Sequence, residues 1–449
     1  MALDDILQLE EPLKDGGIRA VNFFNGRLLA SKDMTREQVA RREADARLGR
    51  AIGDGVAFGL EVARDDALDK PSDPVLRVRA GLALNRAGQT LRLVADTSVA
   101  LTRRFAAAAA TCDCVFAQCN PVADGTYVAG AGVYLLTVAP ATLGEGRAPT
   151  NGLDPGTARC NTDATVEALQ FRLLTIDGTR FADLDLGAGT FRNRLVYRCF
   201  GEEQREASML DPWRSDPPKY GLVDELRATV LSDCDVPLAL VYWTAGGLQF
   251  VDPWAVRRML LRPDALSGFA FQRSPLDGAD LSSFAFIART RRLVEAHAMC
   301  AQFQQHLGDV LAAAANPAAV IATETFRYLP PFGVVPLQNL PLRGFLDSTF
   351  FSGIVRRPAP GSGQQIEFVD ARLLGSLQQQ ALACAPTDLA NQEFIWLYRP
   401  WQNVKATDDT QPVQPMLAFA SGLLPNLATA RFDMAHFDYS DYANCCGGS

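Results

Sequence analysis

Cysteines form the densest cluster of reactive side chains in this 449-residue sequence. Three of the ten lie in CDCVFAQC, at Cys112, Cys114 and Cys119. Zinc sites usually take their ligands from Cys-x(2–4)-Cys pairs, whereas this cluster begins with Cys-x-Cys and no second close pair or histidine follows nearby. The pattern favours ordinary loop or core cysteines, with a metal site or a disulfide as alternatives. The vicinal pair Cys445 and Cys446 cannot bond to each other without strain, and we interpret it as an exposed tail that could cross-link subunits.

Histidines are too few and too scattered to support common catalytic or metal sites. The sequence contains only His297, His306 and His436. His297 and His306 lie on one predicted helix at a separation of roughly two and a half turns, so they point to nearly opposite faces and cannot share an ion. We predict that His297 is a core or interface residue. Histidine-activated nucleophiles and histidine zinc sites therefore have little support.

Motifs for phosphate, calcium and hydrolytic chemistry are weak or absent. The segment DLDLGAG is loosely calcium-like because Asp183 and Asp185 precede a glycine turn, but further acidic ligands are missing. No Walker A sequence, G-x-S-x-G elbow or H-E-x-x-H motif occurs. We therefore predict a non-enzymatic protein with no metal and no cofactor. A hydrolase with an unrecognised acidic site is the third-ranked alternative.

Bulk composition limits the classes of partner. The net charge is -8 and the isoelectric point is near 5.1, so we expect no nucleic-acid partner and no binding to anionic membranes. No apolar run is long enough to predict membrane insertion, and the acidic first residues lack the features of a secretory signal. We expect synthesis and folding in the cytoplasm with reduced cysteines, although the protein could become part of a released particle.

The elements that would position these residues indicate an α+β, multi-domain, β-rich chain with sandwich or barrel-like sheets. Residues 1–30 are predicted to be an irregular arm. Thr35 and Gln38 have capping-box spacing, which predicts a charged helix that runs to about Ile52 and ends at Gly53. The predicted domains are the arm, helix and first strand (1–66), β-rich domains (67–270), a long helix (271–316) and a C-terminal mixed region with a flexible tail (317–449).

The predicted strands are short and separated by glycine turns. VAFGLEVA is predicted as one strand, and VLRVRAGLAL and TLRLVADTSVAL as a hairpin around NRAG. Residues 127–140 and 164–176 are predicted as further strands, and 235–260 as two strands around a Gly-Gly turn followed by a short helix. Residues 326–337 are predicted to be extended, 363–382 a strand leading into a helix, and 391–404 a closing strand.

The long helix near 282–315 is predicted to bury one stripe of side chains. The residues of that stripe recur at alternating spacings of four and three, and they are Leu293, His297, Cys300, Gln304, Leu307 and Leu311. Because the stripe mixes polar and apolar side chains, it could face a partner helix or another protein.

Aromatic and aliphatic side chains give the strongest indication of an interaction. The arm segment VNFFNGRLL places apolar anchors on both sides of an Asn-Gly turn, and its candidate interaction residues are Phe23, Phe24, Asn25, Gly26, Arg27, Leu28 and Leu29. Burial is worth about 1.5–3 kcal/mol for each large apolar side chain, enough to hold the arm on a surface of its own chain or of a neighbour. Phe332, Phe350 and Phe351 are also predicted in exposed turns.

A second candidate interaction site lies in the strand pair at 235–260. Tyr242, Trp243 and Trp254 could form an aromatic stacking platform. That platform favours the alternative function, a glycan- or peptide-binding module on a particle or cell surface.

The sequence also resembles a bacterial protein family. FFNGRLLASKDMTREQ followed by GDGVAFGLEV resembles a recurrent pattern in which FNGR-L, a helix with an acidic start and G-GV--GLEV occur together. YLLTVAPA, VPLALVYWTAGGLQFVDPWAVRR and FRYLPPFGVVPL resemble later parts of the same family, so the resemblance spans most of the chain. Because Ser31 and Lys32 stand where an acidic capping box is more usual, the predicted cap moves to Thr35.

The family is uncharacterised and is associated with gene neighbourhoods of phage-tail-like contractile injection particles. The resemblance implies a structural or assembly role, with copies of itself and other subunits of a large assembly as partners. It brings no catalytic residues.

Overall fold

A computed structural model describes residues 17–102, 132–146, 163–202, 221–227, 229–260, 281–337, 349–356, 366–382, 384–408 and 413–421. The described residues form helices and several β-sheets, which confirms the α+β, β-rich class. Among the helices in these ranges, none is both long and apolar enough to cross a membrane.

The helices are α1 (Ser31–Ile52), α2 (Phe191–Phe200), α3 (Gly221–Arg227), α4 (Leu281–Ala313), α5 (Ala322–Thr325), α6 (Leu374–Ala381) and α7 (Trp401–Asp408). The first ten strands are β1 (Gly55–Gly59), β2 (Val62–Arg64), β3 (Val75–Val78), β4 (Gly81–Leu84), β5 (Thr90–Leu93), β6 (Thr97–Ala100), β7 (Gly132–Glu145), β8 (Ala164–Thr175), β9 (Val236–Thr244) and β10 (Gly247–Asp252). The remaining strands are β11 (Tyr328–Leu329), β12 (Phe332–Pro336), β13 (Val355–Arg356), β14 (Ile366–Val369), β15 (Thr387–Asp388), β16 (Phe394–Pro400) and β17 (Met416–Ala420).

The NRAG hairpin is confirmed, but its two long strands are divided. Strands β4 and β5 pair on either side of the turn, where Gly88 has a φ of 83°. β3 and β6 instead join β2 in a second small sheet, while β1 joins β4. The predicted single strand VAFGLEVA is likewise wrong, because the chain breaks at Leu60, a buried residue with a φ of 56°.

A four-stranded antiparallel sheet with the order β10-β9-β7-β8 forms the centre of a first body of packed elements, and the C-terminal sheet described below forms the centre of a second. Val133 and Leu135 of β7 pack on the side of α2 and α3. Tyr134 and Leu136 point to the other face, against the small N-terminal sheets. Since alternate residues of a strand face opposite sides, this layering requires β7 to be apolar on both faces.

Strands β9 and β10 confirm the two strands predicted in 235–260, but the short helix predicted after them is absent. The chain instead makes a turn in which the Ala255 N–H donates to Asp252 Oδ1 at 3.0 Å. It then runs beside β1, where Met259 forms a bridge with Val56. Asp252 and this strand-like contact hold the segment in a non-helical path.

The C-terminal sheet has the strand order β12-β17-β16-β13, with β14 added to β16. The extended prediction for 326–337 is confirmed, and β12 pairs with β17 of the same chain. The predicted strand-to-helix segment corresponds to β14 and α6, and the closing strand to β16. Strand β17 and helix α7 were not predicted.

Helix α4 confirms the long predicted helix and joins the two bodies. Met299 lies in the core of the first body, and Phe303 and Leu307 lie in the core of the C-terminal sheet. The predicted stripe is wrong at three positions, because Leu293, His297 and Gln304 are exposed. The helix is rotated relative to that stripe because Phe303 inserts into a cluster of phenylalanine rings.

That cluster corrects the expectation that several phenylalanines lie in exposed turns. Phe332, Phe350 and Phe351 are all buried. The Phe303 ring meets the Phe419 ring edge-on, with 5.3 Å between ring centroids. Edge-on packing of this kind is favourable beyond the burial of area alone.

Candidate functional site

The arm turns at Asn25 and Gly26, as predicted. Gly26 has a φ of 89°, and the Arg27 N–H donates to the Phe24 carbonyl at 3.2 Å. The Arg27 side chain then reaches in two directions. Its Nη1 donates to the Asn22 carbonyl at 2.6 Å, and its Nη2 donates to Asp33 Oδ1 at 2.6 Å. Arg27 therefore closes the turn and attaches it to α1.

Asp33 also sets the start of α1, which corrects the predicted cap at Thr35. The helix begins at Ser31, and Asp33 Oδ2 accepts the Ala30 N–H at 3.1 Å. This bond, followed by the bond from Arg27, lowers the pKa of the Asp33 carboxyl below its usual value. Ala30 is thus the N-cap, five residues before Thr35, and Asp33 is the third helical residue, whose carboxylate forms the capping-box bond back to it.

A second contact holds the arm along α1. The Val21 N–H donates to Glu37 Oε2 at 3.2 Å, and the Val21 side chain is buried. The arm is therefore folded onto its own helix. This supports the first of the two alternatives for the arm, attachment to its own chain, and the attached segment is called the clasp.

The same arm leaves its large apolar side chains exposed. Phe24 is 63% exposed and Leu28 is 93% exposed, while Phe23 and Leu29 are each more than half exposed. The polar groups of Arg27 and Val21 make the contacts with α1, and most of the apolar surface points elsewhere. The clasp therefore does not account for the hydrophobic residues of the segment.

Helix α1 exposes further large apolar side chains on one of its sides. Leu48 and Ile52 follow Met34 by roughly four and five helical turns, so the three side chains lie on one side of the helix. Leu48 is 66% exposed, and the other two are about half exposed. The arm–helix surface is defined as the following seven side chains: Phe23, Phe24, Leu28, Leu29, Met34, Leu48 and Ile52.

An adjacent side of α1 is packed tightly against the β4–β5 hairpin. A Cβ atom on Gly49 would lie 2.0 Å from the Gly88 carbonyl oxygen, so the two backbones touch directly. The Arg86 Nε donates to Asp54 Oδ2 at 3.3 Å just beyond the end of the helix. A rigid support therefore presents the arm–helix surface.

The proposed aromatic platform is not formed. Trp243 is only 7% exposed and packs against the small N-terminal sheets. Tyr242, its neighbour on β9, points to the opposite face, where its ring lies 5.2 Å from that of Phe191. Trp254 packs on the same side as Tyr242 and is partly buried. The alternation of side chains along a strand separates these rings.

The two aspartates of the calcium-like segment are engaged in hydrogen bonds within the chain. Both oxygens of Asp183 accept hydrogen bonds of 2.7 Å from Arg198, which lowers the pKa of Asp183 to about 2. Asp185 Oδ1 accepts the Gly187 N–H at 2.9 Å. Within the described ranges, no group of three His, Cys, Asp or Glu side chains could hold a metal ion.

The histidines on α4 point to opposite faces, as predicted. His306 is buried beside Phe326, whereas His297 is exposed. Of the two alternatives predicted for His297, the core is therefore wrong and the interface stays a prediction. His436 lies outside the described residues.

The cysteines follow the expectation only in part. Cys199 and Cys300 are buried thiols, and burial raises the pKa of Cys199 to about 12. Cys234, in contrast, is disulfide-bonded, which corrects the expectation that every cysteine is reduced. The cluster at Cys112, Cys114 and Cys119 and the terminal vicinal pair lie outside the described residues.

Comparison of the chain with family models found no match, and no curated protein matches it either. Function therefore has to be argued from the chemistry of the surface. The sequence prediction missed three members of the arm–helix surface, Met34, Leu48 and Ile52, and it also missed the capping-box role of Asp33. The helical spacing of Met34, Leu48 and Ile52 was the signal that could have identified these three members.

Proposed function

We propose that this chain is a non-enzymatic structural or adaptor subunit of a large bacterial assembly, and that it docks through the arm–helix surface. The observation that carries the proposal is that Arg27 and Asp33 fix an arm whose four largest apolar side chains stay exposed. A phage-tail-like contractile injection particle is the proposed assembly, because the arm and the first strand resemble the sequence pattern of a family associated with such loci. In this proposal the chain is made in the bacterial cytoplasm and is then incorporated into the particle.

The size of the exposed surface supports docking. A large aromatic side chain contributes about 150–250 Å² when fully covered, so the four arm residues together present on the order of 400 Å² of apolar surface. Isolated exposed leucines are normal in soluble proteins, but contiguous apolar patches of a few hundred Å² mark interaction sites. Covering this surface would stabilise a complex by about 10 kcal/mol at about 25 cal/mol per Å², before the costs of association are subtracted.

The charge around the surface indicates the chemistry of the partner. Helix α1 carries six basic residues against four acidic ones, so it is locally basic, while the whole chain has a net charge of -8. The proposed partner is therefore a protein subunit with an apolar centre and an acidic rim. Another copy of this acidic chain or a different subunit of the assembly could provide such a face.

The experiment replaces two arm side chains that make no contact holding the arm to α1. A full-length Phe24→Ser, Leu28→Ser variant is compared with wild type for pelleting in assemblies from the native producer by ultracentrifugation. Leu186→Ser is the matched control, because Leu186 is also about half exposed but lies far along the chain from the arm. The arm variant should remain in the supernatant, whereas the control should pellet like wild type.

Two results would contradict the proposal. The first is pelleting of the arm variant at the wild-type level. The second is a wild-type chain that stays monomeric in the supernatant under every condition in which the particle is produced. Because the replaced side chains are exposed, both variants should keep the unfolding midpoint of wild type, which excludes misfolding as a cause.

A glycan- or peptide-binding module is the second candidate function. It is favoured by a pair of aromatic side chains that lies away from the predicted platform. Phe368 and Trp401 stack with 4.4 Å between ring centroids and an interplanar angle of 24°, and both remain partly exposed. An exposed aromatic pair can stack on a sugar or an aromatic side chain. A glycan and peptide array with full-length protein tests this candidate, and binding that is unchanged in Trp401→Ala would count against it.

A further inference from the structure

Helix α1 carries a stripe of exposed side chains along one side. Its members recur at alternating spacings of four and three, which is typical of the face that one helix packs against another. All of them are exposed, and they are Met34, Gln38, Arg41, Asp45, Leu48 and Ile52. These six residues are called the α1 stripe, and three of them belong to the arm–helix surface.

The chain contacts α1 on both sides of this stripe without covering it. The arm is attached at Asp33 and Glu37, and the β4–β5 hairpin touches the helix backbone at Gly49. At about 3.6 residues per turn, the two aspartate and glutamate contacts lie to one side of the stripe and Gly49 lies to the other. The α1 stripe is therefore open to a partner between these two supports.

The two charged residues at the middle of the stripe form no ion pair with any residue that the structure describes. Arg41 and Asp45 are four residues apart, a spacing at which opposite charges can pair on one helix. Glu43 and Arg47 do pair at this spacing, at 3.0 Å, but Arg41 and Asp45 do not. Both charges are thus available to a second chain.

The order of residues in the stripe is complementary to itself when a second copy runs in the opposite direction. With Arg41 of one helix opposite Asp45 of the other, two-fold symmetry repeats the same ion pair, and Met34 lies opposite Ile52 at each end. In a parallel pair, each residue would instead meet its own copy, so arginine would face arginine and aspartate would face aspartate. The charges therefore favour the antiparallel orientation.

The remaining charges of α1 are compatible with this pairing. The flanks of the stripe carry Asp33, which is bonded to Arg27, and Glu37 on one side, and Arg42 on the other. Positive and negative charges are therefore equal in number over the stripe and its flanks, so two such faces meet without net repulsion. The other charged residues lie on the side of the helix away from the stripe, and they are Lys32, Arg36, Glu43, Arg47 and Arg50.

We propose that α1 packs antiparallel against α1 of a second copy of this chain through the α1 stripe. The inference rests on the proposed docking function, and it names the partner of the helical part of the arm–helix surface. Contacts between Met34 and Ile52, and between Leu48 and the aliphatic part of Gln38, provide affinity. The exposed ion pairs add little affinity and fix the orientation. The resulting interface is isologous, as in most homodimers.

The test reverses the central charges in the full-length protein and measures self-association by sedimentation equilibrium. Arg41→Asp makes both members of each ion pair acidic, and Asp45→Arg makes both basic. Each variant should raise the dissociation constant of the dimer by about tenfold or more, because like charges placed opposite each other are unfavourable. Arg36→Asp is the matched control, because Arg36 is exposed on the side away from the stripe, and it should associate like wild type.

Two rescue experiments identify the partner as a second copy. The double variant Arg41→Asp, Asp45→Arg exchanges the two charges and should associate like wild type. An equimolar mixture of the two single variants should also associate, because one chain then supplies two acidic and the other two basic side chains. All replaced side chains are exposed, so the variants should keep the unfolding midpoint of wild type.

The proposal is overturned if wild type stays monomeric at the highest concentration at which it is soluble, or if neither the double variant nor the mixture restores association. Docking as such would survive that result if the Phe24→Ser, Leu28→Ser variant still failed to pellet, and the partner of the surface would then be a different subunit.

Discussion

Gly49→Ala tests whether α1 is held rigidly on the β4–β5 hairpin. Gly49 lies inside α1, where alanine would normally be the better helix former by about 1 kcal/mol. Here a Cβ atom would lie 2.0 Å from the Gly88 carbonyl oxygen and 2.7 Å from the Gly88 carbonyl carbon. Because both neighbours are backbone atoms, no side-chain rotation can relieve the overlap.

The magnitude follows from these distances. An ordinary contact of a Cβ atom begins near 3.4 Å, so the helix or the hairpin would have to move by more than 1 Å. Overpacking of this kind costs about 1–3 kcal/mol, which exceeds or cancels the gain in helix propensity. We therefore expect Gly49→Ala to lower the free energy of unfolding by up to about 2 kcal/mol.

Gly308→Ala in α4 is the matched control, because a Cβ atom at Gly308 would have no neighbour within 4 Å. It should stabilise the protein by about 0.5–1 kcal/mol, so the two variants should differ by about 1–3 kcal/mol. Urea unfolding followed by circular dichroism gives the difference, and hydrogen exchange of residues 31–52 shows whether α1 is the element loosened. Equal stabilisation by both substitutions would refute the packing argument.

Three further predictions concern buried and partly buried side chains. Burial raises the pKa of Glu367 from 4.5 to about 7. The folded state therefore binds more protons than the unfolded state between pH 4.5 and about pH 7, so the free energy of unfolding should fall as pH rises through this range. Glu367→Gln should abolish that fall, measured as the midpoint of urea unfolding at each pH. Burial and Arg192 hold the pKa of His306 well below 6.5, so stability should fall as pH drops below 6.5, and His306→Gln should remove this loss in the same assay. An unchanged pH profile in either variant would contradict the assignment. Trp243→Ala should cost about 3–5 kcal/mol in urea unfolding, and a cost below about 1 kcal/mol would show that Trp243 is not a core residue.

Local chemistry explains what the sequence could predict. The NRAG turn needs a glycine with positive φ at Gly88, and the next hairpin turns at Gly246 and Gly247, so both were recognisable from a few residues. The exposed apolar arm could be predicted for a similar reason. Its Asn-Gly turn is flanked by two pairs of large apolar residues, and no alternation of polar and apolar residues in the segment predicts a buried face for them.

The elements that could not be predicted depend on distant partners. The division at Leu60 is held by an Arg257 hydrogen bond to the Gly59 carbonyl at 2.7 Å, across nearly two hundred residues. The rotated orientation of α4 is held in part by a hydrogen bond of 2.9 Å, which Gln302 Nε2 donates to Oδ2 of the buried Asp252.

The central claim is that the arm–helix surface docks onto another subunit, and crosslinking tests it most directly. A photoreactive amino acid is placed at Leu28 of the full-length chain in the native producer, with Leu186 as the control position. We predict that the Leu28 probe joins one defined subunit within the sedimenting particle, identified by mass spectrometry, and that the Leu186 probe does not. Crosslinks from Leu28 that stay within its own chain, or that match those of the control, would contradict it.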